Sequence, residues 1–129
     1  MDHILRIHTE EDHKEFSFIC DKRLLSLCYS DILFLEEIDN YILIHDSRDI
    51  SYKTRRAFSS VENALSSERR FLKVNHGIIV NMDYIQDITD STCHLQGGLC
   101  LPIDQKKSRG LQLIWHNYYH ALNRRNHSK

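Results

Sequence analysis

The sequence predicts a mainly β fold of short antiparallel strands, with one short internal helix and a longer helix near the C-terminus. Short apolar runs recur along the chain, polar turn residues separate them, and helical periodicity is confined to two segments. The 129 residues are 41% hydrophobic and 27% charged. This composition supplies enough apolar surface for one packed domain and argues against disorder.

Apolar runs predict five strands in the first half of the chain. Asp39-Asn40 marks one of the turns between them, because both residues tolerate tight backbone conformations and satisfy the backbone locally. Alternation of apolar and polar side chains is clearest in the first strand. The predicted strands are Phe16–Cys20, Leu24–Leu27, Ile32–Leu35, Tyr41–Ile44 and Ile50–Thr54.

The internal helix is expected to begin near Ser59, because Ser59 and Glu62 have the spacing of a capping box. Its apolar stripe comprises Phe58, Val61 and Leu65. The strands expected after it are Phe71–Val74 and Ile78–Val80, followed by a further apolar segment, Met82–Ile88.

Gly97-Gly98 marks the tip of a hairpin that runs from Cys93 to Leu101, and Pro102 ends its second strand. Asp104 is then placed to cap the last helix. The residues expected on one face of that helix are Leu111, Ile114, Tyr118 and Leu122.

Several classes of function lack their sequence signatures. No apolar run approaches the roughly 20 residues that cross a bilayer, and no signal-peptide core is present, so a cytoplasmic location is expected. The chain has no P-loop, G-x-S-x-G, H-E-x-x-H or dinucleotide-binding motif. We therefore expect no enzyme activity, no catalytic residues and no cofactor.

The cysteines and histidines do not predict a metal site. The four cysteines, at positions 20, 28, 93 and 100, lack zinc-ligand spacing. Cys93 and Cys100 could approach across a hairpin, but buried free thiols are the favoured interpretation for a cytosolic protein. His116 and His120 are spaced to share a metal ion on a helix, yet nothing nearby completes the ligand set.

Basic residues concentrate at the C-terminal end. Residues 1–65 carry 8 basic and 13 acidic side chains, whereas residues 104–129 carry 6 basic and 1 acidic. Lys106, Lys107 and Arg109 crowd the start of the last helix, where the helix dipole favours anions. They would suit a phosphate bound at that end, and a solvated charged face is the competing interpretation.

Asn75, His76 and Gly77 lie between two predicted strands, at a loop tip or bend. Asparagine and histidine make directional contacts with base edges, which suggests nucleic-acid recognition. Alternatively, Asn75 and Gly77 only supply permissive backbone for a turn. The residues by themselves leave both interpretations open.

Three segments resemble the signature stretches of LytTR domains, a family of bacterial DNA-binding domains. Residues 71–88, FLKVNHGIIVNMDYIQDI, are similar to the family's stretch of aromatic and basic residues, a His-x-Ser-like bend, an apolar triplet and Asn. Residues 31–45, DILFLEEIDNYILIH, resemble its D-I-x-x-I-E-x-x-x-N-Y-x-x-I-H segment. Residues 101–107, LPIDQKK, resemble its L-P-I-S-R-R-type stretch. The matches occur in the family's order.

The resemblance implies an elongated, mainly β fold of about ten short antiparallel strands with one short internal helix and a C-terminal helix. It also implies a transcription regulator whose loops contact successive major grooves of double-stranded DNA at promoter direct repeats. Such domains often serve as output domains of response regulators in two-component systems, including quorum sensing. The residues expected to bind DNA are Asn40, Tyr41, Lys73, Asn75, His76, Gln105, Lys106, Lys107 and Arg109.

The DNA-binding domain is expected to cover residues 15–126, with a lead-in or linker at 1–14 and a tail at 127–129. The chain is interpreted as a stand-alone protein or as the effector part of a longer regulator. The resemblance allows a second copy on the DNA, a receiver domain or a membrane-bound regulatory partner.

This sequence departs from the family at the expected DNA-binding residues. Asp104-Gln105 replaces a Ser-Arg pair, which removes a cation, adds an anion and should weaken nonspecific affinity. Asp104 would avoid this repulsion by capping the helix, and Asn81 is expected to fix a bend internally. The alternative function is a protein-interaction module on the same fold that has lost DNA binding.

Overall fold

The computed structural model describes residues 14–127, and the chain divides into two compact units, Met1–Leu65 and Ser66–Lys129. Residues 14–127 contain ten strands and two α-helices, so the predicted mainly β class is confirmed. The lead-in expected at residues 1–14 lies outside the described residues except for its last position, and the end of the tail lies outside them as well. Within the described part, no helix is long and apolar enough to cross a membrane.

The first unit contains five strands and the short helix. In order, they are β1 (Glu15–Cys20), β2 (Arg23–Cys28), a 3-10 turn (Tyr29–Asp31), β3 (Ile32–Ile38), β4 (Tyr41–Asp46), β5 (Ser51–Thr54) and α1 (Phe58–Leu65). β1 and β2 form an antiparallel hairpin, and β4 pairs antiparallel with both β3 and β5. All five predicted strands are present.

Alternating burial explains why these segments form strands. Phe16 and Phe18 on β1 are buried, while Ser17 between them is exposed. On β4, Ile42 and Ile44 are 0% exposed. Because neighbouring residues of a strand point to opposite faces, this period of two places one face of each strand in the core.

The short helix carries the predicted apolar stripe but begins earlier than expected. Its buried residues are Phe58, Val61 and Leu65. The carbonyl oxygen of Ala57 already accepts hydrogen bonds from the amides of Ser60 and Val61, so the first turn starts before Ser59. Ser59 is therefore inside the helix, and its predicted role as the capping residue is wrong.

A buried carboxylate fixes the turn between β4 and β5. Asp46 is 1% exposed, and its Oδ1 accepts from the amides of Arg48 at 2.9 Å and Ile50 at 3.0 Å. Its Oδ2 accepts from the guanidinium of Arg48 at 2.7 Å and from the hydroxyl of Tyr52 at 3.2 Å. Burial alone would raise the pKa of Asp46, but these hydrogen bonds outweigh it and lower the pKa below its ordinary value.

The second unit contains five strands and the long helix. In order, they are β6 (Phe71–Asn75), β7 (Ile78–Asn81), a 3-10 turn (Met82–Tyr84), β8 (Ile85–Ile88), β9 (Thr92–Leu95), β10 (Cys100–Pro102), a second 3-10 turn (Gln105–Lys107) and α2 (Ser108–His127). β6 and β7 form one hairpin, and β9 pairs antiparallel with both β8 and β10.

The predicted apolar segment Met82–Ile88 is divided between a 3-10 turn and β8. Asn81 causes this division: it is 0% exposed, and its Oδ1 accepts from the amide of Asp83 at 2.9 Å. The side chain thus caps the turn from inside the protein, as expected for Asn81.

Helix α2 packs against β8 and the two 3-10 turns of the second unit. Leu111 is buried, and the hydroxyl of Tyr118 donates to Asp83 at 2.6 Å. Burial and the neighbouring Asp83 carboxylate raise the pKa of Tyr118. Ile114, which was expected on the packed face, is 48% exposed, whereas Trp115 is half-buried. Leu111, Trp115 and Tyr118 follow the spacing of an inward stripe, and Ile114 lies beside it.

Candidate nucleic-acid interface

The β6–β7 hairpin presents the predicted Asn-His-Gly segment at its tip. Asn75 pairs with Ile78, so His76 and Gly77 form a two-residue turn. Gly77 has a φ of 76°, in the left-handed region that glycine adopts without strain. The permissive-backbone interpretation is therefore correct for Gly77, while His76 projects as an exposed side chain at the tip.

A bulge in β6 connects this tip to the segment before α2. The strand register shifts between Lys73 and Asn75, which makes Val74 an extra residue in the ladder. The carbonyl oxygen of Val74 accepts from the amide of Asp104 at 2.8 Å, and the Asn75 side-chain amide donates to the carbonyl oxygen of Pro102 at 3.2 Å. These bonds hold the hairpin beside the residues that precede the helix.

The result is a shallow pocket in the second unit, with a volume of about 270 Å³. Two segments that are far apart in the sequence supply its lining. The lining residues are Lys73, Val74, Asn75, His76, Asp104 and Lys107. Four of the nine residues expected to bind DNA therefore line one pocket, namely Lys73, Asn75, His76 and Lys107.

Asp104 organises the basic turn that borders the pocket. Its Oδ1 accepts from the amide of Lys106 at 3.2 Å, and its carbonyl oxygen accepts from the amide of Lys107 at 2.9 Å. The expected capping role of Asp104 is confirmed, although it caps the 3-10 turn that leads into α2. This cap holds Gln105, Lys106 and Lys107 in one tight turn, and all three side chains are exposed.

The predicted DNA-contact residues of this unit differ in whether their side chains already make hydrogen bonds within the protein. Asn75 is half-buried, and its Oδ1 also accepts from the amide of His76 at 2.8 Å. Each end of the Asn75 amide keeps one hydrogen-bonding capacity after these two bonds. By contrast, the side chains of Gln105, Lys106 and Arg109 are exposed and make no hydrogen bond or ion pair to other residues within 14–123.

Asn40 and Tyr41 belong to the first unit, at the turn between β3 and β4. Asp39 has a φ of 55°, and Asn40 is exposed. The ammonium of Lys53 lies over the Tyr41 ring, 4.2 Å from its centroid, which is a cation–π contact. Lys53 was missed by the sequence reasoning. It pairs with Leu43, which shares a face of β4 with Tyr41, so only the strand register could have revealed it.

The cysteine and histidine pairs considered in the sequence lie on different elements: Cys93 and Cys100 are on β9 and β10, and His116 and His120 are on α2. Both Cys93 and Cys100 are free thiols, as expected, but the predicted burial is correct only for Cys93, which is 0% exposed, and wrong for Cys100, which is exposed. Burial raises the pKa of Cys93 to about 12. His116 and His120 lie ring against ring on α2, with centroids 4.5 Å apart. No three His, Cys, Asp or Glu side chains among the described residues are arranged to hold a metal ion.

The fold and this surface define a small β-rich module that presents polar and basic side chains on loops. The sequence profile of the LytTr DNA-binding domain matches residues 22–116. Among solved structures, the chain is similar to the LytTr DNA-binding domain of a Bacillus cereus protein described as a methyl-accepting/DNA response regulator. That match has a TM-score of 0.63 and 16% identity, and covers 78% of this chain and 94% of the other. No curated protein sequence matches.

Because the profile covers most of the chain, this protein belongs to the LytTr DNA-binding domain family. The family supports a role as a DNA-binding regulator.

Proposed function

We propose that this domain regulates transcription by recognising specific promoter sequences through its loops, in the major groove of double-stranded DNA. The observation that carries the proposal is the convergence of the His76 tip with the Asp104–Lys107 turn around one pocket. The hairpin tip supplies Asn75 and His76, and the turn supplies Gln105, Lys106 and Lys107. Together they combine groups that bind bases with groups that bind phosphates.

Base recognition would come from His76, Gln105 and the remaining capacity of Asn75. Glutamine and asparagine form paired hydrogen bonds with the major-groove edge of adenine, and histidine contacts acceptors on guanine. His76 and Gln105 are exposed, so they can reach a base without rearrangement of the core. Asn75 would chiefly hold the hairpin tip in place through its bond to Pro102.

Phosphate binding would come from the exposed cations around the pocket, namely Lys73, Lys106, Lys107 and Arg109. Such contacts fix the position of the protein on the duplex but carry little sequence information. Each phosphate contact releases counterions from the DNA, so the affinity should fall steeply as salt rises.

The Asn40–Tyr41 turn of the first unit would supply a second contact loop. Two loops per domain are consistent with binding in successive major grooves, and two copies on a direct repeat would raise a weak single-domain affinity. We further propose that the domain serves as the output part of a bacterial response regulator or as a stand-alone regulator in the cytoplasm. In either setting a receiver domain or a membrane-bound partner would control it.

The proposal can be tested by selecting bound fragments from a genomic DNA pool at two salt concentrations. Fluorescence anisotropy then compares a recovered site with a scrambled duplex. His76→Ala and Gln105→Ala should each weaken binding to the recovered site by about 10-fold, since a good base contact is worth about 1–3 kcal/mol, and should leave the scrambled duplex nearly unchanged.

Replacing both Lys106 and Lys107 by Gln should weaken binding to both duplexes and lower the slope of log K against log salt by about 2. Arg69→Gln is the matched control: Arg69 is an exposed cation of the same unit that precedes β6, at the end of the strand away from His76. If the protein retains no fragment even at low salt, or if Arg69→Gln has the same effect as the lysine variant, the proposal is wrong.

A further inference from the structure

The first unit contains a groove that the proposed DNA contacts do not use. It has a volume of about 640 Å³ and lies between the β1–β2 hairpin and the end of β5 with the two residues that follow it. Its lining residues are Ser17, Phe18, Ile19, Asp21, Lys22, Leu24, Lys53, Thr54, Arg55 and Arg56. We name it the hairpin groove.

An exposed apolar pair stands on the hairpin side of this groove. Ile19 on β1 pairs directly with Leu24 on β2, and the two are 54% and 70% exposed. Their positions belong to the outward face of the hairpin, where Ser17 and Ser26 are also paired. Because alternation normally places polar residues on an outward face, two large aliphatic side chains there indicate contact with another molecule.

The groove is also basic, with Lys22 in the hairpin turn and the other cations on β5 and just after it. Among residues 14–65, four of the seven basic residues line it, but only one of the nine acidic residues does. The Arg56 side chain already makes a contact within the protein, since its guanidinium donates a hydrogen bond to Ser60 Oγ at 3.0 Å. Lys22 and Arg55 are exposed, and within residues 14–123 neither makes a side-chain hydrogen bond or ion pair.

We propose that the hairpin groove binds an acidic segment of a protein partner, anchored by large apolar side chains. The apolar side chains would pack on Ile19 and Leu24, while carboxylates would pair with Lys22 and Arg55. DNA fits the groove less well, because phosphates would use the cations but leave the apolar pair in water. A protein segment with both acidic and large apolar side chains would contact the cations and the apolar pair at the same time. Both features of the groove therefore favour this kind of partner.

The test uses the full chain and a short fluorescein-labelled peptide in which glutamates alternate with leucines. Two control peptides replace the glutamates by lysine or the leucines by serine. The wild-type protein should bind the first peptide and bind each control at least about tenfold more weakly, which corresponds to 1.4 kcal/mol. Higher salt should weaken the binding, because exposed ion pairs are screened.

Variants separate the two halves of the groove. The double variant Lys22→Gln with Arg55→Gln and the double variant Ile19→Ser with Leu24→Ser should each weaken peptide binding by about tenfold. Arg23→Gln is the charge control and Ile50→Ser the apolar control, since both residues are exposed in the same unit and do not line the groove. Circular dichroism of each variant verifies the fold.

Three outcomes would overturn the proposal. The first is no binding of the glutamate–leucine peptide by the wild-type protein at millimolar concentration. The second is equal binding by the Ile19→Ser, Leu24→Ser variant. The third is a loss of DNA affinity and of salt dependence in the Lys22→Gln, Arg55→Gln variant without a loss of peptide binding, which would make the groove a phosphate contact. The proposed DNA function is tested through His76 and Gln105, so either proposal can fail alone.

Discussion

Replacing Asp46 by asparagine tests whether one buried carboxylate holds the turn between β4 and β5. The substitution keeps the size of the side chain and the acceptor oxygen that binds the amides of Arg48 and Ile50. It replaces Oδ2 by an NH₂ group, which then faces the guanidinium of Arg48 and the hydroxyl of Tyr52. The NH₂ donor would therefore face the guanidinium donors of Arg48, and the Tyr52 hydroxyl would lose its acceptor, inside a site that is 1% exposed.

The expected cost is about 2–3 kcal/mol in the free energy of unfolding at neutral pH. A hydrogen bond to a charged group contributes about 1.5–3 kcal/mol, and a buried donor without an acceptor costs about 1–3 kcal/mol. We take the lower part of the combined range, because the Arg48 side chain is 62% exposed and water screens its charge. For a domain of this size the cost corresponds to a fall in Tm of roughly 6–12 °C.

The pH dependence gives the more specific test. The folded-state pKa of Asp46 is lowered, so its stabilising effect is present above the unfolded-state pKa of about 3.9 and is lost as the pH falls through the folded-state value. Urea unfolding should therefore show a gap between wild type and Asp46→Asn at neutral pH that narrows below about pH 4. Asp49→Asn, at an exposed aspartate of the same turn, is the matched control. Equal stability at neutral pH, or a gap that stays constant with pH, would refute the reasoning.

Three further predictions concern the second unit. Tyr118→Phe should lower the stability by about 1–2 kcal/mol, because it removes the bond to Asp83, and should reduce the loss of stability that wild type shows above about pH 10, where the unfolded-state tyrosine ionises. Thiol alkylation of the native protein, followed by mass spectrometry, should modify Cys100 and leave Cys93 protected until unfolding, because Cys93 is buried with a pKa raised to about 12. Gly77→Ala should cost about 1 kcal/mol in urea unfolding, because its φ of 76° strains any residue with a Cβ.

Each of these predictions has an outcome that contradicts it. Unchanged alkaline stability of Tyr118→Phe would show that the bond to Asp83 does not hold α2. Alkylation of Cys93 at the rate of Cys100 would contradict its burial. A Gly77→Ala protein as stable as wild type would mean that the hairpin turn adopts another conformation.

The strands were predictable because their signal is local. Apolar alternation and turn residues such as Asp39 and Asn40 act over a few positions, and the β3–β4 turn is at these residues. The helical period wrongly predicted that Ile114 lies on the packed face of α2. Such a period identifies the apolar side of a helix but does not show how much of that side the neighbouring elements cover. The capping-box spacing of Ser59 and Glu62 placed the start of α1 near Ser59, although the helix begins at Phe58, which is buried.

The site could be predicted in its residues but not in its geometry. Residues 71–88 and 101–107 were recognisable as family segments, yet nothing in either shows that Val74 and Asp104 are hydrogen-bonded. That bond depends on the bulge in β6, which is a property of strand register. The contact between Lys53 and Tyr41 and the pairing of Ile19 with Leu24 depend on register in the same way.

The acidic residue at the basic turn illustrates why net charge is a poor guide to this protein. With a formal net charge of -1, the chain as a whole does not attract DNA strongly. Asp104, however, accepts the amide hydrogen of Lys106 and holds the turn from which Lys106 and Lys107 project. A side chain without an acceptor oxygen there would remove one repulsion but would loosen two cations. Two local features therefore distinguish the proposed DNA surface of the second unit from the proposed protein-binding groove of the first. They are the positions of the charged side chains on loops and the presence or absence of exposed apolar side chains beside them.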